Sequence, residues 1–221
     1  MLSDFKTYLT RRKALQPAVR ATVMLKEKAY DWRHRVDTAG AAQIENLTVL
    51  GCNGRHAVQY EPVFPSDFKS AIDNLDIDYS KFTFIDFGSG KGRALFLASE
   101  LPFKRIIGVE FAKELHDIAT RNIQSYRSRS QHCFDVTSMH VDAAEFQFPP
   151  EQLFLYFNNP FTESVMQRVI GNIVGSVEVI PREVYVMCYT VWTPDHLFLN
   201  RFKATCLRRT ATSRVYRVAV P

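Results

Sequence analysis

An apolar run, Phe82 to Phe87, carries Asp86 near its end, and glycines follow at Gly88, Gly90 and Gly92. A second apolar run, IIGVE, ends in Glu110. This order of residues dictates local structure and a kind of chemistry. A buried strand brings the chain to a sheet edge, and glycines turn it without a Cβ, so a ligand can touch the backbone. A helix opening at once turns its first N–H groups toward that ligand. A carboxylate about 20 residues on, at the tip of the next strand, is placed to hold a pair of ribose hydroxyls.

The spacing separates the ligands that such a loop can take. A dinucleotide loop reads G-x-G-x-x-G, and here the glycines fall one residue short. A Walker loop needs G-K-[ST] to reach magnesium, and here Lys91 is followed by Gly92 and Arg93. Asp86, two residues before the first glycine, repels a phosphate but can hold an ammonium. S-adenosylmethionine carries an ammonium, a ribose and an adenine and no phosphate, and it fits the D-x-G-x-G-x-G pattern with a downstream Glu better than either phosphate ligand.

At these residues the chain resembles the class I S-adenosylmethionine-dependent methyltransferases. Asp86 to Gly92 resemble that family's first motif, which implies cofactor contacts from Asp86, Gly88, Ser89, Gly90 and Gly92. Glu110 resembles its ribose-binding acid, with Phe111 beside it. His140 to Ala144 resemble the third element, in which Asp142 and the N–H of Ala143 hold the adenine; Asp142 also reads as a helix cap. Leu153 to Phe161, LFLYFNNPF, resemble the fourth motif, with Asn158 at its strand end. Upstream, Thr38 in DTAG and Tyr60 in YEP fall in the segment that covers the cofactor in related enzymes. The wording is most like small bacterial methyltransferases of unassigned substrate. A more distant likeness is to histone lysine methyltransferases of the disruptor-of-telomeric-silencing type.

Methyl transfer is a displacement at a sulfonium carbon, so the protein must align the nucleophile and exclude water. A nitrogen nucleophile also needs its N–H groups held by acceptors. Asn158, Asn159, Pro160 and Phe161 resemble the N-P-P-[YF] loop of amino-directed enzymes, but with one proline only. Either asparagine can supply the acceptor, Pro160 stiffens the loop, and Phe161 can lie flat on the target or on the methionine end of the cofactor. The same residues also read as a Pro-terminated strand with a turn. The expected activity is methylation of a nitrogen on an unidentified protein or small-molecule acceptor, a protein lysine side chain being one candidate. RNA methylation and a catalytically silent S-adenosylmethionine-binding module are the alternatives, and a nicotinamide-dependent oxidoreductase is disfavoured by the glycine spacing.

The 221 residues suffice for one α/β domain with a proper core and an extension. No apolar run approaches the roughly 20 residues of a membrane span, so no membrane partner is expected. The cysteines form no CxxC pair and the histidines no metal-like pair, which points to reduced thiols in a cytoplasmic protein without a metal site. Charge is uneven: residues 1–36 hold nine Lys or Arg against three acids, and residues 201–217 hold six and no acid. Basic ends suit an anionic partner, either RNA or an acidic protein face; they also suit solvated helix and edge-strand faces.

The elements that must position these residues follow from periodicity. Helical spacing from Ser3 and a restart after Pro17, over about 18–30, predict a basic helical extension over 1–36, with a polar connector after it. The methyltransferase domain then spans 37–221. Ser66 is expected to cap a helix through Leu75. Strands are predicted at 82–87, 105–110, 134–141, 153–157 and 183–190, alternating with helices at 91–100, 112–126 and 163–174. A short helix near 194–199 and a hairpin of 201–208 with 213–219 complete the chain. The expected fold is α/β: a Rossmann-like, seven-stranded, mostly parallel sheet with helices on both faces and an antiparallel C-terminal hairpin. Asp86, Glu110, Asp142 and Asn158 all fall at carboxyl ends of strands, where such sheets bind ligands. Tyr189 and Trp192 are candidates for lining a substrate pocket.

Overall fold

The structure is a computed structural model that describes residues 17–42, 47–48, 60–189 and 201–219. The predicted helices from Ser3 and near 194–199, Trp192, and residues 43–46 and 49–59 lie outside the described residues. Strands β1 (Phe82–Phe87), β2 (Arg105–Glu110), β3 (Val136–His140), β4 (Gln152–Asn158), β5 (Val184–Tyr189), β6 (Lys203–Arg209) and β7 (Ser213–Ala219) form one sheet. Their order is β3-β2-β1-β4-β5-β7-β6. The first five pair in parallel, and β7 and β6 run antiparallel. The expected seven-stranded sheet with its C-terminal hairpin is therefore present.

Helices α1 (Pro17–His34), α2 (Pro65–Ile72), α3 (Arg93–Ser99), α4 (Lys113–Ser125) and α5 (Glu163–Val179) surround the sheet. The core divides about the sheet plane. One side packs β1, β2, β4 and β5 against α5 through Val169, Ile170 and Ile173. The other packs them against α2 and α3 through Phe68, Leu95 and a ring cluster that includes Phe84, Phe103, Phe154 and Tyr156. β1 and β5 are buried along their whole length, as central parallel strands read. The order reverses between β1 and β4, so the crevice for a ligand opens above the carboxyl ends of β1, β2 and β4.

Local chemistry moves some boundaries from those expected. Ser66 does not cap α2. Phe64 is the N-cap and Pro65 the first helical residue, because proline loses no bond there. α2 stops at Ile72 instead of Leu75, where Asp73 is extended and Asn74 takes φ +55°. α1 runs through the segment read as a connector, to His34, because its last turns turn Asp31 and His34 inward onto partners. His34 Nδ1 lies 3.1 Å from the Arg127 carbonyl, and Arg127 N–H donates to the His34 carbonyl at 3.1 Å.

Candidate active site

The glycine loop leaves β1 at Phe87 and enters α3 at Arg93. Gly88, Gly90 and Gly92 take φ of +76°, +53° and +91°, conformations that L side chains resist. Space forbids a side chain as well. A Cβ on Gly88 would lie 2.6 Å from Cβ of Pro160, and one on Gly90 would overlap the Tyr60 ring. The loop thus touches two other segments of the site, NNPF and YEP.

Four of the loop's N–H groups turn onto protein acceptors and not into a phosphate cradle. Gly88 and Ser89 N–H donate to the Val109 carbonyl at 2.9 and 3.1 Å, and Gly92 N–H donates to the Ser89 carbonyl at 2.9 Å. Gly90 N–H donates to Glu110 Oε2 at 2.7 Å, and Ala112 N–H donates to Oε1 at 2.8 Å. The two nearby cations are also spent. Lys91 Nζ bonds to Asp37 and the Ala39 carbonyl, both at 3.1 Å. Arg93 pairs with Asp31 at 3.0 Å, donates to Thr38 Oγ1, and lies 4.0 Å over the Tyr30 ring.

What faces the crevice is acidic. Asp86 and Glu110 are buried and line one cleft of about 600 Å³, part of it open to solvent. Asp86 stands opposite Gly108 in the β1–β2 register, so Glu110, two residues on, shares its face of the sheet. Asp86 accepts no hydrogen bond among the described residues; burial and then the Glu110 charge push its carboxyl well above the ordinary carboxylate range. Burial pushes Glu110 up to about 7, against the opposing pull of the Ala112 and Gly90 N–H groups.

The NNPF loop forms the opposite lip. Asn158 ends β4, and its Nδ2 donates to the Glu61 carbonyl at 3.2 Å, tying the lip to the YEP segment. Asn159 takes φ +46°, a conformation asparagine tolerates better than most residues. Its Oδ1 is buried, has no hydrogen-bond partner among the described residues, and belongs to a residue lining the cleft. Ser89 Oγ is likewise buried and unpartnered, packed toward Gly108.

A second cleft of about 350 Å³ adjoins the first and shares Gly88, Phe111 and Pro160 with it. Asp142, Ala143 and Phe161 line this one. Asp142 accepts the Ala144 N–H at 2.9 Å and caps a 3₁₀ turn, Ala143–Glu145. The helix-cap reading of Asp142 therefore holds, and the same residue also faces a cleft.

The residues singled out from sequence thus border two adjoining clefts: Tyr60, Asp86, Gly88, Ser89, Gly90, Glu110, Phe111, Asn158, Asn159 and Pro160 the first, and Asp142, Ala143 and Phe161 the second, Gly92 and Thr38 being the exceptions. Gly92 shapes the turn from behind. Thr38 is fully buried, bonding Asp31 through N–H and Oγ1 at 2.8 and 2.6 Å, and its carbonyl accepts the Tyr60 hydroxyl at 2.9 Å. It anchors the ring that crosses Gly90. Tyr189 is a core residue, with its hydroxyl on Asp67 at 2.8 Å. His116 and His140 stack at 5.5 Å, with ring nitrogens bonded to Ser138 and to the Phe111 carbonyl. Sequence reasoning passes over Arg93, Asp31 and Asn122. Asn122 holds Asp37 and Lys91 together, through bonds of 2.8 to 2.9 Å. The available signal is a lone arginine in the apolar helix RALFLAS, since a buried cation demands a buried partner.

No protein-family model matches the chain, and no curated protein matches its sequence. Solved structures do resemble it. The 23S rRNA methyltransferase ErmE matches at 8% identity and TM-score 0.50, over 73% of this chain and 70% of that one. The glycopeptide N-methyltransferase MtfA matches at 8% and 0.50, over 71% and 89%. A dimethyladenosine transferase from Plasmodium falciparum matches at 12% and 0.50, over 73% and 64%. At these identities the likeness is one of fold: this chain has the Rossmann-like fold of those methyltransferases. Among the described residues no helix is long and apolar enough to cross a membrane, and no group of three or more His, Cys, Asp or Glu is placed to hold a metal.

Proposed function

We propose that the chain transfers a methyl group from S-adenosylmethionine to a nitrogen atom. The observation that carries the cofactor is the pairing of two buried carboxylates with a glycine loop in which the Gly88, Ser89, Gly90 and Gly92 N–H groups and the neighbouring cations are already engaged. A phosphate ligand would meet two acids and no free cation; a cationic, diol-bearing ligand without phosphate meets what it needs. Asp86 would face the ammonium. Glu110 would take the ribose hydroxyls on the lone pairs its two N–H bonds leave free. Asp142 and Ala143, in the adjoining cleft, would take the base. When bound, the sulfonium supplies an electrophilic methyl carbon and leaves as a neutral thioether.

The acceptor class follows from Asn159. A buried amide oxygen with no partner costs about 1–3 kcal/mol unless something donates to it. An amino group entering the cleft would donate there and keep its lone pair for the methyl carbon. Of the two asparagines, Asn158 is held through its Nδ2 on the Glu61 carbonyl and serves as the strut, while the buried, unpartnered Oδ1 of Asn159 favours Asn159 as the acceptor. Pro160, locked against Gly88, holds the pair in place. The substrates named for the three similar structures differ, and a fold does not fix a substrate. A protein lysine and an amine on an RNA base both meet the requirement.

Thermal shift with S-adenosylhomocysteine against NAD tests the cofactor; stabilisation by NAD alone would sink the reading. Dialysed lysate with methyl-labelled cofactor then traces the acceptor. Asn159→Ala should keep cofactor binding and lose most turnover. If turnover survives both Asn158→Ala and Asn159→Ala, the nitrogen-acceptor reading fails. Tight binding with no labelled product in any fraction would favour the silent module.

A further inference from the structure

We propose that the corner where the end of α1 meets the loop between α4 and β3 binds a single-stranded stretch of RNA. The binding does not depend on the methyltransferase reading; only its use in presenting a base amine to the cleft does.

Burial sorts the charges of α1. Its described acids, Glu27 and Asp31, are both buried, and Asp31 is neutralised by Arg93. Lys26, Lys28, Arg33 and, just past the helix, Arg35 are exposed, and none has an ion pair among the described residues. The outward side of α1 is therefore cationic without relief. Lys28 and Trp32 are four residues apart, so they share one stripe of that side, Trp32 is 84% exposed, and Arg35 follows the helix end at φ +59°.

The loop after α4 meets this end of α1. Arg127 exchanges hydrogen bonds with His34, and the His34 ring stacks on Tyr126 at 5.5 Å. Between Asp117 and Asp135 the chain holds no acid, and Arg127 and Arg129 are exposed within that span. Arg127 is pre-set: Nη1 donates to the Gln124 and Tyr126 carbonyls at 3.0 and 2.7 Å. The acids that bear on this corner are Glu100, half-buried near Tyr30 and Tyr126, and Asp37, two residues past Arg35, exposed and paired with Lys91. Lys28, Arg33 and Arg35 thus accompany the exposed indole at this end of α1, and Arg127 and Arg129 stand on the loop that meets the buried His34 side of the same helix end.

Guanidinium groups take phosphates in a forked, two-bond manner. An exposed ring among them offers a base a stacking face, the combination used by proteins that grip single strands. A bilayer would ask for an unbroken apolar face; here the indole stands among charges, and the exposed Met24 and Leu25 lie two turns away. The C-terminal basic run is a weaker candidate, because Arg217 is paired with Glu183 at 2.7 Å and its described aromatic residues, Phe202 and Tyr216, are buried. α4 begins beside the cleft and its 13 residues end at this corner, so the two lie about 20 Å apart. At roughly 3.4 Å per stacked phosphate, a strand of about six nucleotides spans that distance.

The test is fluorescence anisotropy of the full chain with a labelled, mixed-sequence RNA of about 20 nucleotides, titrated from low to physiological salt. Wild-type binding should weaken with salt. Arg33→Glu/Arg35→Glu and Arg127→Glu/Arg129→Glu should each weaken it about tenfold or more, and each should shallow the log–log salt slope by about 0.7 per lost phosphate contact. Trp32→Ala should weaken binding about fivefold or more and leave the slope unchanged. Melting curves should match wild type for Arg33→Glu/Arg35→Glu and Trp32→Ala and fall for Arg127→Glu/Arg129→Glu, which loses the Arg127 bonds at the end of α4, and S-adenosylhomocysteine shifts should match wild type for all three, which separates this surface from the cleft. Equal RNA affinity in wild type and both charge-reversed variants overturns the proposal. So does binding to phosphatidylserine vesicles, but not RNA, that depends on these residues. An inactive cleft with intact, variant-sensitive RNA binding would count against the methyltransferase reading alone.

Discussion

Arg93 Nη2 and Asp31 Oδ1 meet at 3.0 Å inside the protein, and this pair joins the N-terminal helix to the helix that follows the glycine loop. Thr38 completes the link, because it binds both side chains and its carbonyl holds the Tyr60 hydroxyl. The extension read from sequence as residues 1–36 therefore reaches the cleft through its last turns.

Removing one partner leaves the other charge buried, which costs about 3–5 kcal/mol. Asp31→Ala is expected to lower the unfolding free energy by that order, and the denaturation midpoint with it. Asp31→Leu with Arg93→Met should be less destabilised than Asp31→Ala alone, since no charge is then stranded. Denaturant melts of the single and double variants check this; additive losses would show that the two side chains act independently.

Strands β1 and β2 and the terminal hairpin are legible in the sequence because their chemistry is local: apolar runs bounded by glycine, acid or proline. The same holds for the NNPF lip and for the glycine turn, whose function needs φ above zero. The length of α1 is not legible, because Asp31 and His34 read as polar connector until Arg93 and Arg127 supply their partners from 62 and 93 residues away. Ser66 misleads for a related reason: a hydroxyl is a good cap, but Pro65 beside it is a better first helical residue. Likeness puts Thr38 near the cofactor, and the fold makes it an anchor one step behind.

The acid pair sets a pH dependence with a definite sign. Both carboxyls are raised in the folded protein, so the free protein binds protons more tightly than the unfolded chain does. Their contribution to stability is fully present below the unfolded carboxylate range and is lost as pH rises, through about 7 for Glu110. The ligand-free protein should melt lower at pH 8 than at pH 5.5, and Glu110→Gln should flatten that fall. An ammonium and a ribose diol want ionised acceptors, so affinity for S-adenosylhomocysteine should rise over the same interval. Calorimetry in buffers of different ionisation enthalpy should register proton release on binding; no release would mean that the acids are ionised before the ligand arrives.

Glycines in this chain differ in what they permit. Gly88→Ala forces a Cβ at φ +76° into Pro160 and should both destabilise the fold and displace the NNPF lip. Gly171, in α5, has an ordinary helical backbone, and an added methyl there would meet nothing within 4 Å. Gly171→Ala should raise stability by about 0.5–1 kcal/mol with cofactor binding unchanged. Thermal melts with and without S-adenosylhomocysteine distinguish the two sites.

Asn159 allows a finer separation of backbone from side chain. Its φ of +46° means that alanine there removes the amide and adds strain together, whereas glycine removes the amide and relieves the strain. If the buried Oδ1 matters for holding an amine, Asn159→Gly and Asn159→Ala should lose turnover alike while the glycine variant melts no lower than the alanine one. If the residue serves only to shape the turn before Pro160, glycine should restore turnover to near wild type. Single-turnover methylation of the acceptor found in the lysate, with cofactor affinity measured in parallel, decides between a hydrogen-bonding role and a conformational one.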